Sequence, residues 1–130
     1  MVSQCRINAS HVHVLGEVED ARALMQSKAV MVVPLFSGSG MRIKVIEGMA
    51  MERAVVSTSL GVEGISAEDN VHLCIADSAG AFADKIAQCI RNREFYDELR
   101  QNGRKFIENH FDYREVAKDV LSFYQERLKV

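Results

Sequence analysis

A short run of small and basic residues could bind an anion. It comprises Gly38, Ser39, Gly40, Met41 and Arg42, and it directly follows an apolar segment. Small residues let backbone amides approach a ligand, and the free N–H groups at a helix N-terminus attract negative charge. Arg42, in the first turn of the predicted helix, would add a full positive charge. The run is therefore suited to binding a diphosphate.

The same run also has a purely structural interpretation. Gly-Ser-Gly segments are common in turns between a strand and a helix, and Ser39 would then be the N-cap of the helix. The run is not a P-loop, because neither Gly-Lys-Ser nor Gly-Lys-Thr ends it. A phosphate-binding loop and a simple turn both remain open on this pattern.

Glu47 is the second residue that could act on a ligand. A rotation of about 100° per residue places it between Ile43 and Met51, at the border of the apolar face of the helix. A carboxylate seldom lies there without a hydrogen-bonding partner. The partner could be a ligand hydroxyl or Lys44, three residues earlier, so a binding role and a structural salt bridge are both open. Lys44 itself could assist binding or be an ordinary solvated lysine.

Alternating strands and helices are predicted to position these residues. We expect strands at about 12–15, 29–35, 54–57 and 71–76, and helices after Asp20 and at about 41–51, 79–91, 93–109 and 113–128. The third of these helices would be capped by Asp77 or Ser78. This order predicts an α/β fold, with a Rossmann-like parallel sheet of about four strands, helices on both faces and a helical C-terminus. Ligands bind beyond the carboxyl ends of such strands, where loop 36–40 and, more weakly, Glu63 are expected.

Composition excludes several classes of function. A chain of 130 residues, 48% of them hydrophobic, fits one domain, and its net charge of −2 from mixed acids and bases argues against nucleic-acid binding. No apolar stretch is long enough to cross a membrane, and the start lacks the order of a signal peptide, so we expect an intracellular protein. The three cysteines are predicted to be buried or idle thiols. His11 and His13 could form a metal pair on a strand face, but a solvated face is the simpler reading.

Several blocks, in order, resemble the C-terminal domain of the group 1 glycosyltransferases. The resemblance extends from about Val12 to the C-terminus. It is carried by residues 14–18, 32–34, 38–51, 54–58, 60–65 and 77–82. The order of the blocks makes this resemblance more specific than any single motif.

The resemblance implies roles for particular residues. In that family two glutamates eight positions apart bind the donor, and Glu47 matches the second, which binds the nucleotide ribose. Ser39 stands in the place of the first, near the sugar, in a Gly-rich variant with a following Arg and Lys. The substrate-binding residues implied are Gly38, Ser39, Gly40, Met41, Arg42, Lys44, Glu47 and Glu63. Glu52 and Ala54, where the family often has Gly and Pro, are interpreted as backbone adjustments. No catalytic residue is indicated, and no metal or cofactor is expected.

The resemblance also implies a larger enzyme. Such enzymes have the GT-B fold, in which two Rossmann-like domains face each other, and they transfer a sugar from a nucleotide diphosphate with retention of configuration. Residues 1–130 would then be one N-terminally truncated C-terminal domain, with a UDP- or GDP-linked sugar as donor and the acceptor held by a missing N-terminal domain. A hexosyltransferase-like activity is expected of the whole protein, but not of this chain alone. The expected location is cytoplasmic, with the inner-membrane surface as an option for the full-length protein.

Two further expectations concern alternatives and assembly. The rival interpretation is a noncatalytic α/β nucleotide-binding or interaction module, which Glu47 and its loop would distinguish from an enzyme domain. The helix at 113–128 carries an apolar stripe wider than a small sheet can cover. We therefore expect that the isolated chain can form a homodimer through that stripe or through the face left bare by missing strands.

Overall fold

Three strands and four α-helices form the part of the chain that the structure describes. The computed structural model describes residues 10–38, 42–111 and 125–126. The elements, in chain order, are α1 (Ala21–Gln26), β1 (Val30–Val33), α2 (Arg42–Ala50), β2 (Ala54–Ser57), a 3₁₀ helix (Leu60–Val62), β3 (Cys74–Ile75), α3 (Ala79–Arg91) and α4 (Arg93–His110). The predicted alternation of strands and helices is confirmed over residues 21–110.

The strands form a parallel sheet in the order β1-β2-β3. Val30 pairs with Ala54 in the β1–β2 register, and Val56 pairs with Cys74 in the β2–β3 register. All four residues of the central strand β2 are buried, as expected for a short β-branched run in a parallel sheet covered on both faces. The predicted Rossmann-like parallel sheet is therefore confirmed.

Alternate residues of β2 separate two hydrophobic clusters. Val55 lies in a cluster with α2 and the C-terminal half of α4, and Ala54 and Val56 lie in a cluster with α3 and the first half of α4. Fully buried Met49 anchors the first cluster and Leu99, 1% exposed, the second. Helices thus cover both faces of the sheet, because successive side chains of a strand point to opposite faces.

Side-chain caps fix where three helices begin. The Asp20 side chain accepts hydrogen bonds from the backbone N–H groups of Arg22 and Ala23, as predicted for the start of α1. Ser78 Oγ accepts from the Ala81 N–H at 3.2 Å at the start of α3, so of the two predicted caps Ser78 is the one used. Asn92 closes α3 and caps α4, which lets the two helices follow each other without a loop.

The strand predicted at 12–15 is absent. Val12, Val14 and Leu15 are 47%, 49% and 58% exposed and belong to no ladder. A strand needs a neighbouring strand to satisfy its backbone hydrogen bonds. The described sheet consists of β1, β2 and β3, and none of them pairs with residues 12–15. The described sheet therefore has three strands where about four were expected. His11 and His13 are both exposed and share no strand face, so the basis for a metal pair there is lost.

The fourth predicted strand, at 71–76, is shortened to β3. Asn70 has a positive φ of 65°, and the backbone N–H groups of Val71 and His72 turn back to the Glu68 carbonyl. This turn occupies the first residues of the predicted strand.

The helix predicted at 113–128 lies outside the described residues except for 125–126, which are helical. The predicted dimer contact through its apolar stripe lies there as well.

Glu52 fills a backbone position that favours glycine. Its φ is 59°, in the left-handed region, two residues after the end of α2. Its carboxylate forms ion pairs with Arg100 at 3.5 Å and Arg104 at 3.8 Å. The backbone adjustment expected at this position is present, and the side chain additionally ties the end of α2 to α4.

Cys74 and Cys89 are buried in the cluster shared with α3, as predicted, and Cys5 lies outside the described residues. A hydrogen bond with Cys89, together with burial, raises the pKa of the Cys74 thiol well above its usual range. The same hydrogen bond lowers the pKa of Cys89.

Among the described residues, no helix is both long and apolar enough to cross a membrane.

Candidate functional site

The predicted anion-binding run lies in the connection from the carboxyl end of β1 to α2. Gly38 is exposed and has a φ of 91°, a conformation that side chains other than glycine rarely adopt. The chain therefore turns at Gly38 before α2 starts at Arg42. Ser39, Gly40 and Met41 lie outside the described residues, as does the side chain of Arg42.

Glu47 lies on α2 with one cation on each of its carboxylate oxygens. Lys44 Nζ is 3.4 Å from Oε2, and Arg22 Nε of α1 is 3.7 Å from Oε1. The Glu47 side chain is 25% exposed, against 48% for Lys44 and 78% for Arg22. The salt bridge to Lys44, predicted as one alternative, is present, and the carboxylate keeps access to solvent on one side.

The apolar face next to Glu47 is narrower than predicted. Val45 and Met49 are fully buried, whereas Ile43 is 73% exposed. Gly48 brings α2 close to the sheet, because a Cβ there would lie 2.5 Å from Met31 Sδ and 3.2 Å from Val55 Cγ2. Glu47 thus lies beside the line of closest contact between α2 and the sheet, at the edge of solvent.

Hydrogen bonds join the loops that follow the three strands. The Thr58 hydroxyl donates to the Leu35 carbonyl in the loop after β1 and accepts from the Gly61 N–H at 3.1 Å. Asp77, after β3, accepts from both the N–H and the hydroxyl of Ser59, each at 2.9 Å from Oδ1. The carboxyl edge of the sheet is therefore a connected support for the loop that leads into Gly38.

Glu63 lies at the same edge but apart from the Glu47 cluster. It is exposed, follows the 3₁₀ helix and donates its backbone N–H to the Leu60 carbonyl at 3.3 Å. Within residues 42–111 its side chain forms no ion pair. Of the predicted site residues whose side chains are described, the structure brings together Lys44 and Glu47.

Sequence reasoning missed Arg22, Thr58 and Asp77 as parts of this region. Arg22 is separated from Glu47 by 25 positions, so no helical spacing could indicate the pair. For Asp77, the position directly after the strand predicted at 71–76 is a usable signal, although the local pattern favours a helix cap there. A polar residue after each of two neighbouring parallel strands would have indicated a bridge between their loops.

A cavity of about 210 Å³ lies at the opposite edge of the sheet. It opens near the start of β1 and is lined by Ala29, Val30, Cys89, Ile90, Arg93 and Tyr96. The Tyr96 hydroxyl donates to the Ala29 carbonyl at 3.0 Å, which attaches α4 to the sheet there. Because the cavity lies at the amino ends of the strands, we do not assign the ligand to it.

Comparison with known proteins identifies the family. Residues 2–92 match the family described as glycosyl transferases group 1. The chain belongs to this family. The resemblance found in the sequence is thereby confirmed. The matched residues include α2 and Glu47.

Two curated relatives are longer proteins. The chain is 28% identical over 102 residues to a Klebsiella pneumoniae protein described as an uncharacterized 44.6 kDa protein in the cps region, covering 78% of this chain and 26% of the relative. It is 28% identical over 123 residues to an uncharacterized glycosyltransferase of Methanocaldococcus jannaschii, covering 92% of this chain and 34% of the relative. No solved structure matches the chain significantly. The chain thus spans about a quarter to a third of the length of these two relatives.

Proposed function

We propose that this glycosyltransferase-family chain is a donor-binding domain that holds a nucleotide-diphosphate sugar for glycosyl transfer. The observation that carries the proposal is the Glu47 carboxylate, which is partly buried, flanked by two cations and placed on the helix that follows Gly38. A carboxylate can accept hydrogen bonds from adjacent ribose hydroxyls. A purely structural ion pair would not require the preceding glycine-rich run at the end of a parallel strand.

The diphosphate is assigned to the run from Gly38 to Arg42. Backbone N–H groups at the start of α2 and the charge of Arg42 would balance the phosphate oxygens. The same groups would stabilise the nucleoside diphosphate as it departs, and stabilising charge that develops in the transition state lowers the barrier to transfer. Lys44 is 3.4 Å from Glu47 and would add positive charge to this edge. Glu63, on the neighbouring loop, is a weaker candidate for a donor contact.

The acceptor is assigned to a separate domain. The chain covers 26% and 34% of its two curated relatives, so each of them has more chain than this domain accounts for. We propose a UDP- or GDP-linked hexose as donor and an N-terminal domain of the GT-B type as the acceptor side. Ser39 replaces a sugar-binding glutamate, so the donor sugar would be recognised differently from relatives that keep that glutamate.

Nucleotide binding is the direct test of the proposal. Calorimetric titration of the 130-residue chain with UDP and with GDP, at millimolar concentrations, is expected to show weak saturable binding of one of them. Adenosine and inorganic phosphate, tested separately, control for binding through the base or a phosphate alone. A chain that is folded by circular dichroism and binds neither diphosphate would contradict the proposal.

The isolated chain is expected to transfer no sugar. The assigned residues hold the donor, and neither an acceptor site nor a group that could activate an acceptor has been assigned to this chain. Incubation with UDP-glucose or GDP-mannose and a mixture of sugar acceptors, followed by mass spectrometry, should give no glycosylated product. Turnover above the rate of spontaneous donor hydrolysis would show that the division between two domains is wrong.

A further inference from the structure

We propose that Arg22 is a positioning residue for the nucleotide ribose, acting through Glu47. This inference rests on the proposed function and extends it by one residue on a different helix. Arg22 Nε lies 3.7 Å from Glu47 Oε1, and Lys44 Nζ lies 3.4 Å from Oε2. The two carboxylate oxygens are thus each paired with a cation of their own, one from α1 and one from α2.

This arrangement leaves a defined set of acceptor positions. An ionised carboxylate has about four lone-pair sites, two on each oxygen. Lys44 donates a hydrogen bond to Oε2 at 3.4 Å and occupies one of these sites, whereas Arg22, at 3.7 Å from Oε1, attracts the carboxylate without a hydrogen bond. Each oxygen therefore keeps at least one acceptor site, as two adjacent ribose hydroxyls require. Arg22 and Lys44 together restrain the carboxylate against rotation, so a substrate with both hydroxyls meets both acceptors in place.

The attachment of α1 explains why Arg22 can hold this position. The helix has six residues and none of them is buried, so packing alone does not fix it. Arg53 Nη1 donates to the carbonyls of Gln26 and Lys28, at 3.2 and 3.1 Å, and holds the C-terminal end of α1. The Asp20 cap orders the first turn. The ion pair to Glu47 therefore joins the first turn of α1 to the candidate site.

A surface ion pair without a role in binding predicts a different result. Such a pair contributes little to stability, and its loss would not depend on which nucleotide is bound. A positioning role requires that the effect of Arg22 be expressed through the ribose hydroxyls. Comparing a ribonucleoside diphosphate with its 2′-deoxy analogue separates the two.

The experiment measures the dissociation constants of UDP and 2′-deoxy-UDP. If GDP is the ligand, GDP and 2′-deoxy-GDP take their place. The variants are Arg22→Ala and Arg22→Lys, with Arg91→Ala as the control. Arg91 is an exposed arginine in the last turn of α3. Arg22→Ala is expected to weaken binding of the ribonucleotide about two- to fivefold, the range of an exposed ion pair. It should weaken binding of the deoxynucleotide less, because the deoxynucleotide keeps only one of the two hydroxyls that Glu47 would bind. Arg22→Lys should restore most of the loss, and Arg91→Ala should have no effect.

A second measurement separates failure of this inference from failure of the proposed function. Urea unfolding midpoints of Arg22→Ala, Glu47→Gln and the double variant, without nucleotide, are expected to be non-additive if Arg22 positions Glu47. Equal weakening of both nucleotides, or weakening of neither, would overturn the inference while nucleotide binding by the wild type still supports the proposed function. If the wild type binds no nucleotide, the proposed function is wrong, and additive midpoints would then show that Arg22 does not position Glu47 either.

Discussion

Exchange of Glu47 for glutamine is expected to weaken binding of the nucleoside diphosphate by about tenfold or more, because hydrogen bonds to a charged group contribute about 1.5–3 kcal/mol each. Glutamine keeps the length of the side chain but has one oxygen acceptor in place of a charged pair of oxygens. It also leaves the cations of Lys44 and Arg22, now at 3.4 and 3.7 Å from the carboxylate, without their counter-charge. Calorimetric titration of the variant and the wild type measures the change.

Two further variants make this expectation specific. Glu98→Gln removes the same charge from an exposed position of α4 and should leave the dissociation constant unchanged. Arg42→Ala, in the first turn of α2, should weaken the diphosphate but not the free nucleoside, because its assigned partner is phosphate. The stability of Glu47→Gln should fall by less than about 1 kcal/mol, since both ion pairs are partly exposed. Unchanged binding in both Glu47→Gln and Arg42→Ala would show that the ligand, if any, lies elsewhere.

The secondary structure was predictable where the local sequence was strongly patterned. β2 and α3 have the predicted bounds, because a β-branched run and a capped amphipathic segment each contain their own start and stop signals. The segment at 12–15 carries a similar apolar signal, yet its side chains are exposed. A strand depends on a partner strand, and the identity of that partner is not contained in the segment itself.

The candidate site was predictable only to the extent that it is local in sequence. Lys44 and Glu47 lie three positions apart on one helix, so their contact followed from helical geometry. Arg22 reaches Glu47 from a different helix, α1, and Asp77 reaches Ser59 because β2 and β3 are neighbours. Such contacts depend on the tertiary arrangement of separate elements. The sequence therefore indicated the carboxylate but not the second cation that holds it.

Alanine at Gly103 is expected to lower the free energy of unfolding by about 1–3 kcal/mol, whereas alanine at Gly80 should raise it by about 0.5–1 kcal/mol. Both glycines lie within α-helices, Gly103 in the interior of α4 and Gly80 in the first turn of α3, so alanine gains helix propensity at either position, and no less at Gly103. The two positions differ in the room that is available for an added Cβ atom. A Cβ at Gly103 would lie 2.6 Å from the His72 carbonyl oxygen, and at Gly80 no atom lies within 4 Å.

The obstacle at Gly103 is backbone, which is why the penalty should exceed the propensity gain. A flexible side chain could move aside, but the His72 carbonyl belongs to the turn that leads into β3, and His72 also accepts the Glu68 N–H at Nδ1. Relief would require α4 to move away from the sheet, and α4 carries Phe106 and Ile107 into the cluster around Met49. Urea unfolding of both variants measures the two changes. If Gly103→Ala were as stabilising as Gly80→Ala, α4 would not pack against the His72 turn as closely as the structure shows, and the first hydrophobic cluster would have to be held together differently.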